Sequence, residues 1–167
     1  GMKHNPNLLL QLAIAFRHEA AVSVGVVSEG AGAQWLQQQK VALGLDNLRL
    51  FPFQPYEELP AVLGTADVLI AILDPDAGVF SVPSKVLSYL CAGRALLLAV
   101  TAVNLAARIV SENRAGLAVE PANVEAFVAQ GRRLFGDSAL REKMGKNALY
   151  YAQQNFDLGR VTEMFEE

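Results

Sequence analysis

SVPSKVLSYLCAGRALLLAV, residues 81–100, reads as a helix followed at once by a buried strand. On a helical wheel Pro83, Val86, Leu87 and Leu90 fall within a sector of roughly 100°, while Ser81, Ser84, Lys85, Ser88 and Ala92 fall opposite. One side of this helix is built to face a sheet, and the other is small, polar and basic. Pro83 disfavours helical geometry at Val82, so the helix begins near Pro83. The unpaired amides of Ser84 and Lys85 then point outward at the positive end of the helix dipole, beside a hydroxyl and an ammonium. These are the parts of a phosphate cradle. A solvated polar face with a serine cap explains the same residues without any ligand.

Upstream, VLIAIL (Val68 to Leu73) is a continuous apolar run of the kind buried on both sides in a parallel sheet. It leads into Asp74-Pro75-Asp76-Ala77-Gly78, a loop at the strand's carboxyl end, where open parallel sheets bind ligands. Asp74 and Asp76, flanking a proline, read as turn formers rather than as an acid–base or metal-binding pair.

The alternation continues in both directions. Leu8 to Glu19, Ala33 to Leu43, Pro55 to Leu63, Asn104 to Glu112, Asn123 to Phe135 and Ser138 to Gln154 read as helices, with Pro60 bending or ending a turn of the third. Val22 to Val27, Leu48 to Phe51, Ala95 to Val100 and Ala115 to Val119 read as strands. A last amphipathic segment runs from Leu158 to Phe165. Apolar strands alternating with helices predict an α/β fold, a doubly wound parallel sheet with helices on both faces. Gly136-Asp137 reads as a helix cap rather than a joint between domains. The expectation is one domain over residues 1–167, with 138–167 as its C-terminal helices and Gly1-Met2 as a tag remnant.

Composition narrows the functions. Apolar residues make up 52% of the 167, charged residues 19%, and the net charge is −3. That excludes a disordered tail and gives no general attraction to nucleic acid. No apolar stretch reaches the ~18 residues of a spanning helix. Cys91 has no partner for an internal disulfide and reads as a buried structural thiol. With His4 and His18 alone, no metal site is expected, and a reducing cytoplasm is the expected location. SEGAGA (Ser28 to Ala33) places two glycines between a strand and a helix but lacks the third glycine and the distant acid of a dinucleotide fingerprint. A tight turn explains it, and its position makes it equally a second ligand-contacting loop. Trp35 and Phe51-Pro52-Phe53 read as core and edge packing.

Four strings, in order, carry a resemblance. They are LGLDNLRLFPFQPYEELPAVLGTADVLIAIL (43–73), SVPSKVLSYLCAGRALLLA (81–99), ENRAGLAVEPANVEAF (112–127) and LREKMGKNALYYAQQNFD (140–157). The chain resembles the C-terminal, donor-binding Rossmann-like domain of the family 4 retaining glycosyltransferases, enzymes of two facing domains (the GT-B type), and their surface-polysaccharide branch in particular. The resemblance implies a nucleoside-diphosphate sugar as substrate, a glycan or lipid-linked acceptor, and no cofactor or metal. It implies a diphosphate at Val82, Ser84 and Lys85, a ribose at Ser88, and a donor bordered by Glu29 and Gly30, with Gly78 in the loop before the helix.

The family pattern has two glutamates, the second of which holds the ribose. Ser88 stands in the second place, and Gly78-Val79-Phe80 surrounds the first, so a charge-assisted bond is lost. The first strand of the usual domain and the N-terminal acceptor domain are expected to be missing from this chain. The chain alone is then expected to be inactive, with the acceptor domain as partner and a homodimer through the open sheet edge as a further expectation. Peripheral association with the inner membrane would come through the full-length enzyme. The alternatives are a non-catalytic interaction module of the same fold and one half of a sugar-nucleotide epimerase.

Overall fold

Two parallel ladders organise the chain. The computed structural model describes residues 5–73, 82 and 84–156. Gly78, Asp74, Asp76, Pro83 and the Leu158 to Phe165 segment lie outside the described residues. The helices are α1 (Asn7–Ala15), α2 (Ala31–Leu43), α3 (Leu59–Gly64), α4 (Ser84–Cys91), α5 (Leu105–Glu112), α6 (Val124–Gly136) and α7 (Ser138–Asn155). The strands are β1 (Val24–Val27), β2 (Leu48–Phe51), β3 (Val68–Ile72), β4 (Ala95–Ala99) and β5 (Gly116–Val119). β1 pairs with β2, and β3, β4 and β5 form a second sheet in that order, every pairing parallel.

Residue alternation in β4 defines two cores. Ala95, Leu97 and Ala99 join Leu8, Leu10, Leu12, Leu36, Val24, Leu48, Ile72 and Phe127 in one buried cluster, beneath α1, α2 and α6. Leu96, Leu98 and Val100 face the other way, into Val86, Leu90, Ala106, Val110 and Ala148 of α4, α5 and α7. The second sheet is thus covered on both faces, which is why its strands read as unbroken apolar runs. The β1–β2 pair buries Val24 and Leu48 on the first-core side, while Gly25, Val27, Arg49 and Phe51 on the other side are exposed.

Local chemistry sets the helix ends. Asn104 Oδ1 accepts from the Ala106 amide at 2.8 Å, Asn123 Oδ1 from Ala126 at 2.9 Å, and Asp137 Oδ1 from Leu140 at 2.8 Å. Asp137 therefore caps α7, as its position after Gly136 predicts. At the opposite ends, arginines supply donors to the last carbonyls, which have no partner within the helix. Arg132 donates to Ala15 O, Arg17 to Leu43 O, and Arg141 to both Leu134 O and Phe135 O. Asn104 is fully buried, so Asn104→Ala should destabilise the fold by about 1–2 kcal/mol through loss of the cap. Urea unfolding measures it, and an unchanged midpoint would remove the cap from the account.

Several boundaries differ from the sequence reading. α1 stops at Ala15 because Phe16 turns into the core, 3% exposed, and packs edge-on against Phe135. β1 starts at Val24, with the Val24 amide donating to Asn47 O. α2 starts two residues early, at Ala31, directly after Gly30. The Pro55 to Leu63 helix is a 3-10 turn (Tyr56–Glu58) followed by α3. Pro60 lies in the first turn of α3 and opens it rather than ending it, since a first-turn residue needs no amide partner.

Candidate functional site

α4 is anchored by Val86 and Leu90, both fully buried. Burial of two such side chains supplies about 1.5–3 kcal/mol each. That anchoring fixes the opposite sector. Ser84, at the first position of the helix, is exposed; Val82, Lys85 and Ser88 are half-buried. Ser88 Oγ donates to Ser84 O at 3.3 Å, one turn back. Its two lone pairs therefore stay available to a donor while its proton is committed to the helix. Partial burial lowers the pKa of the Lys85 ammonium below its ordinary value by desolvation. Such an ammonium lacks part of its hydration and gains more from an incoming anion than a fully hydrated one. Tyr89, one turn beyond Lys85, packs against the second core, and burial raises its phenol pKa.

β1 ends in a second loop at the carboxyl side of a parallel strand. Gly30 has φ 87° and ψ −165° and lies immediately before α2. That backbone geometry is reserved for glycine, and no atom lies within 4 Å of the place a Cβ would occupy. Glu29 is exposed, and its Oε1 accepts from the Phe53 amide at 3.2 Å. This bond ties the β1 loop to the loop after β2, a link the sequence reading did not contain. Phe51 and Phe53 lie at the end of β2 and just beyond it, 44% and 65% exposed, and Tyr56 after them is 84% exposed, so this segment is edge rather than core. The signal was available in Pro52 and Pro55, which bracket a segment that cannot continue a ladder. Trp35 packs partly buried against the first core, as expected. Glu29→Ala should speed hydrogen exchange at the Phe53 amide by about tenfold, with little change in global stability. Exchange unaltered at Phe53 would mean that the loop holds itself.

The residues expected at the site thus lie at the carboxyl ends of β1 and β3. Val82, Ser84, Lys85 and Ser88 share α4 and its entry, and Glu29 and Gly30 share the β1 loop. Glu29 is directed to Phe53 rather than to α4. Cys91 is exposed, not the buried thiol expected, because it falls beyond the Val86–Leu90 stripe. It lines a shallow groove of about 400 Å³ with Leu149, Ala152, Gln153 and Phe156, at the opposite end of α4 from Ser84 and Lys85. Among the described residues no three acidic, histidine or cysteine side chains cluster as metal ligands, and no helix is long and apolar enough to cross a membrane.

Parallel strands, helices on alternating faces, and polar loops at the strands' carboxyl ends define a Rossmann-like α/β domain. The sequence model described as Glycosyl transferases group 1 matches residues 2–149, and the chain belongs to that family. It is 29% identical over 167 residues to a protein of Escherichia coli described as colanic acid biosynthesis glycosyl transferase WcaI, covering 99% of this chain and 40% of WcaI.

The fold matches the crystal structure of Anabaena HepE in complex with UDP, with a TM-score of 0.80 and 16% identity over 99% of this chain and 45% of HepE. It also matches WaaG, a glycosyltransferase involved in lipopolysaccharide biosynthesis, with a TM-score of 0.70 and 22% identity over 95% of this chain and 40% of WaaG. The C-terminal domain of LpcC from Francisella tularensis matches with a TM-score of 0.74 and 17% identity over 94% of this chain and 81% of that domain. The chain spans less than half the length of WcaI, HepE and WaaG.

Proposed function

We propose that this chain binds the nucleoside-diphosphate sugar donor of a glycosyltransferase that builds a surface polysaccharide. The observation that carries the reading is the entry into α4, where exposed Ser84 and half-buried Lys85 share a helix start at the carboxyl end of β3. Membership in the family supports it. So does the likeness to HepE, which has been crystallised with UDP and with UDP-glucose.

The chemistry follows from charge. Transfer of a sugar leaves a nucleoside diphosphate, whose negative charge grows as the glycosidic bond breaks. The amides of Ser84 and Lys85, the Lys85 ammonium and the dipole of α4 are placed to stabilise that charge. The backbone at Val82, in the entry to α4, meets the phosphates, and the resemblance adds Gly78 as a donor contact. Ser88 Oγ accepts from a ribose hydroxyl, in place of a charged carboxylate. Glu29 and Gly30 border the donor from the β1 loop. No metal or cofactor enters this scheme.

The acceptor is held by a second domain, because positioning of the two reactants supplies much of the rate. A donor-binding chain without that domain binds but does not transfer. The work is placed in the cytoplasm, with contact to the inner membrane made through the full-length enzyme.

Thermal melting with UDP, GDP, ADP and dTDP tests the reading. One of the four should raise the melting temperature in a saturable manner at millimolar concentration or below. No shift with any of them removes a nucleotide site from this chain.

A further inference from the structure

Three helix ends meet at one end of the molecule, and each is closed by an arginine from another segment. Arg132 of α6 donates to Ala15 O at the end of α1, and Arg17, beyond α1, donates to Leu43 O at the end of α2. Arg141 of α7 donates to Leu134 O and Phe135 O at the end of α6. The contacts are continuous. The Arg132 guanidinium lies over the Phe16 ring, 5.4 Å from its centroid, and that ring meets Phe135 edge-on at 5.5 Å. Arg17, Arg132, Leu43 and Phe135 are exposed, so cations, an aromatic ring and an aliphatic side chain share one surface.

Capping occupies only part of these arginines. A guanidinium carries five N–H donors on three nitrogens, and each of the three arginines gives one nitrogen to the carbonyls it closes. Among the described residues the ion pairs are Arg108–Glu112 and Lys146–Glu142, so no carboxylate neutralises Arg17, Arg132 or Arg141. The last turns of α2 and α6 add Lys40 and Arg133. The acids in the same turns and the connections leaving them are Glu19, Asp46 and Asp137, and Asp137 is committed to the Leu140 amide. Cations thus outnumber acids at this end of a chain whose net charge is −3.

Topology separates this end from the donor site. α1 and α2 lead into the amino ends of β1 and β2. The β1 loop and the entry to α4 lie at the carboxyl ends of β1 and β3, so a partner seated on the arginines leaves the donor loops open.

The chemistry selects the partner. A guanidinium fork matches phosphate oxygens, and one already held by a helix end loses little freedom on binding. Exposed apolar groups beside such cations fit the boundary between headgroups and acyl chains, where charged tips stay at the phosphates and rings sit just below. An acidic protein surface would engage the cations and leave Leu43 and Phe135 without a role. No described helix is long and apolar enough to span a bilayer, so the contact is of the kind that lies on the surface.

We propose that Arg17, Arg132 and Arg141, with Leu43 and Phe135 between them, seat this chain on an anionic lipid bilayer. This surface deepens the reading given above, on which it rests, by naming where the enzyme meets the membrane.

Vesicle co-sedimentation of the 167-residue chain tests it, with phosphatidylcholine alone and with about 30% phosphatidylglycerol added. The chain should bind the anionic vesicles at least about tenfold more tightly, and roughly 0.5 M salt should release it. Arg17→Gln with Arg132→Gln should weaken binding about twentyfold, near fivefold for each cation removed. Arg17→Lys with Arg132→Lys, which keeps both charges, should stay within about threefold of the parent. Arg108→Gln makes the same charge change on α5, across the sheet, and should bind as the parent does. Equal binding to both vesicles, binding indifferent to salt, or equal losses in the glutamine and lysine pairs overturns the proposal. So does displacement by inorganic phosphate at matched ionic strength, which would make this a small-anion site. So does self-association that abolishes vesicle binding, which would make a second copy the occupant. If the glutamine pair fails to fold by circular dichroism, the lipid and salt comparisons on the parent decide. The assay contains no nucleotide, so its failure leaves the donor site standing, and melting with nucleotides judges that site separately.

Discussion

Replacing Gly116 with alanine should destabilise the fold severely, by more than about 4 kcal/mol. Gly116 opens β5 and is paired in register with Leu96 of β4, the central strand of its sheet. A Cβ built there stands 2.1 Å from the carbonyl oxygen of Leu96 and 2.8 Å from its carbonyl carbon. Those are backbone atoms of a strand paired on both sides, with Leu96 itself fully buried. No flexible side chain is available to move aside. Relief requires β5 to separate from β4, which breaks the ladder and opens the contact between β5 and α5. The expected cost is above about 4 kcal/mol, the range reserved for core disruption, against a total stability of about 5–15 kcal/mol.

The measurement is urea unfolding followed by circular dichroism, with soluble expression as the coarse readout. A Gly116→Ala protein within about 1 kcal/mol of the parent would mean that β5 is free to shift, and the register drawn here would be wrong. Gly145 offers a companion site of lesser effect. Its Cβ would stand 2.4 Å from Gly93 O, where α7 crosses the turn after α4. Only that turn needs to yield there, not the sheet.

The second large effect is functional and centres on Lys85. The nucleoside diphosphate that fits, supplied at 100 times its dissociation constant, should stabilise the chain by about 2.7 kcal/mol. For a domain of this size that is a rise of about 5–10 °C in melting temperature. Lys85→Ala should remove most of that rise while leaving the unliganded protein folded, because the buried anchors of α4 are Val86 and Leu90. Full retention of the rise in Lys85→Ala would exclude this ammonium from diphosphate binding.

The pH dependence carries a sign that separates Lys85 from a generic surface charge. Burial lowers its pKa in the folded state relative to the unfolded chain. As pH climbs through the lowered folded value toward the ordinary lysine range, the folded state releases its proton first. The unliganded fold therefore gains stability from this residue across that window, since the unfolded state binds more protons. Diphosphate affinity moves oppositely, falling as the ammonium is lost. Titration of binding and of unliganded stability over the same alkaline range, compared with Lys85→Ala, reads both signs. If affinity and stability moved together with pH, another group would be responsible.

Much of this protein is legible in its residues because the informative patterns are local. VLIAI and ALLLA are unbroken apolar runs, and they are the strands buried on both faces. Asn104, Asn123 and Asp137 announce helix starts, and each accepts the amide bond its type predicts. Pro83 and the wheel of residues around it separated the buried Val86–Leu90 stripe from the polar sector that holds Ser84, Lys85 and Ser88. These features depend on backbone dihedral preferences and on the periods of helix and strand, which a chain carries wherever it folds.

Other features needed coordinates because they depend on which elements meet. Glu29 was readable as an acid beside a turn, but its bond to the Phe53 amide joins loops 24 residues apart. The arginines that finish α1, α2 and α6 come from distant or neighbouring segments, and composition does not reveal their carbonyl partners. Cys91 is apolar by type yet exposed, since a position a quarter-turn off the buried stripe loses its cover. The sequence alone determined the parallel α/β class, the order of its elements and the polar entry to α4, because each follows from periodicity and end-capping within a few residues. Only the tertiary structure decided that the strands pair, among the described residues, as two separate parallel ladders, because strand pairing is a long-range choice made by backbone groups that are the same in every residue.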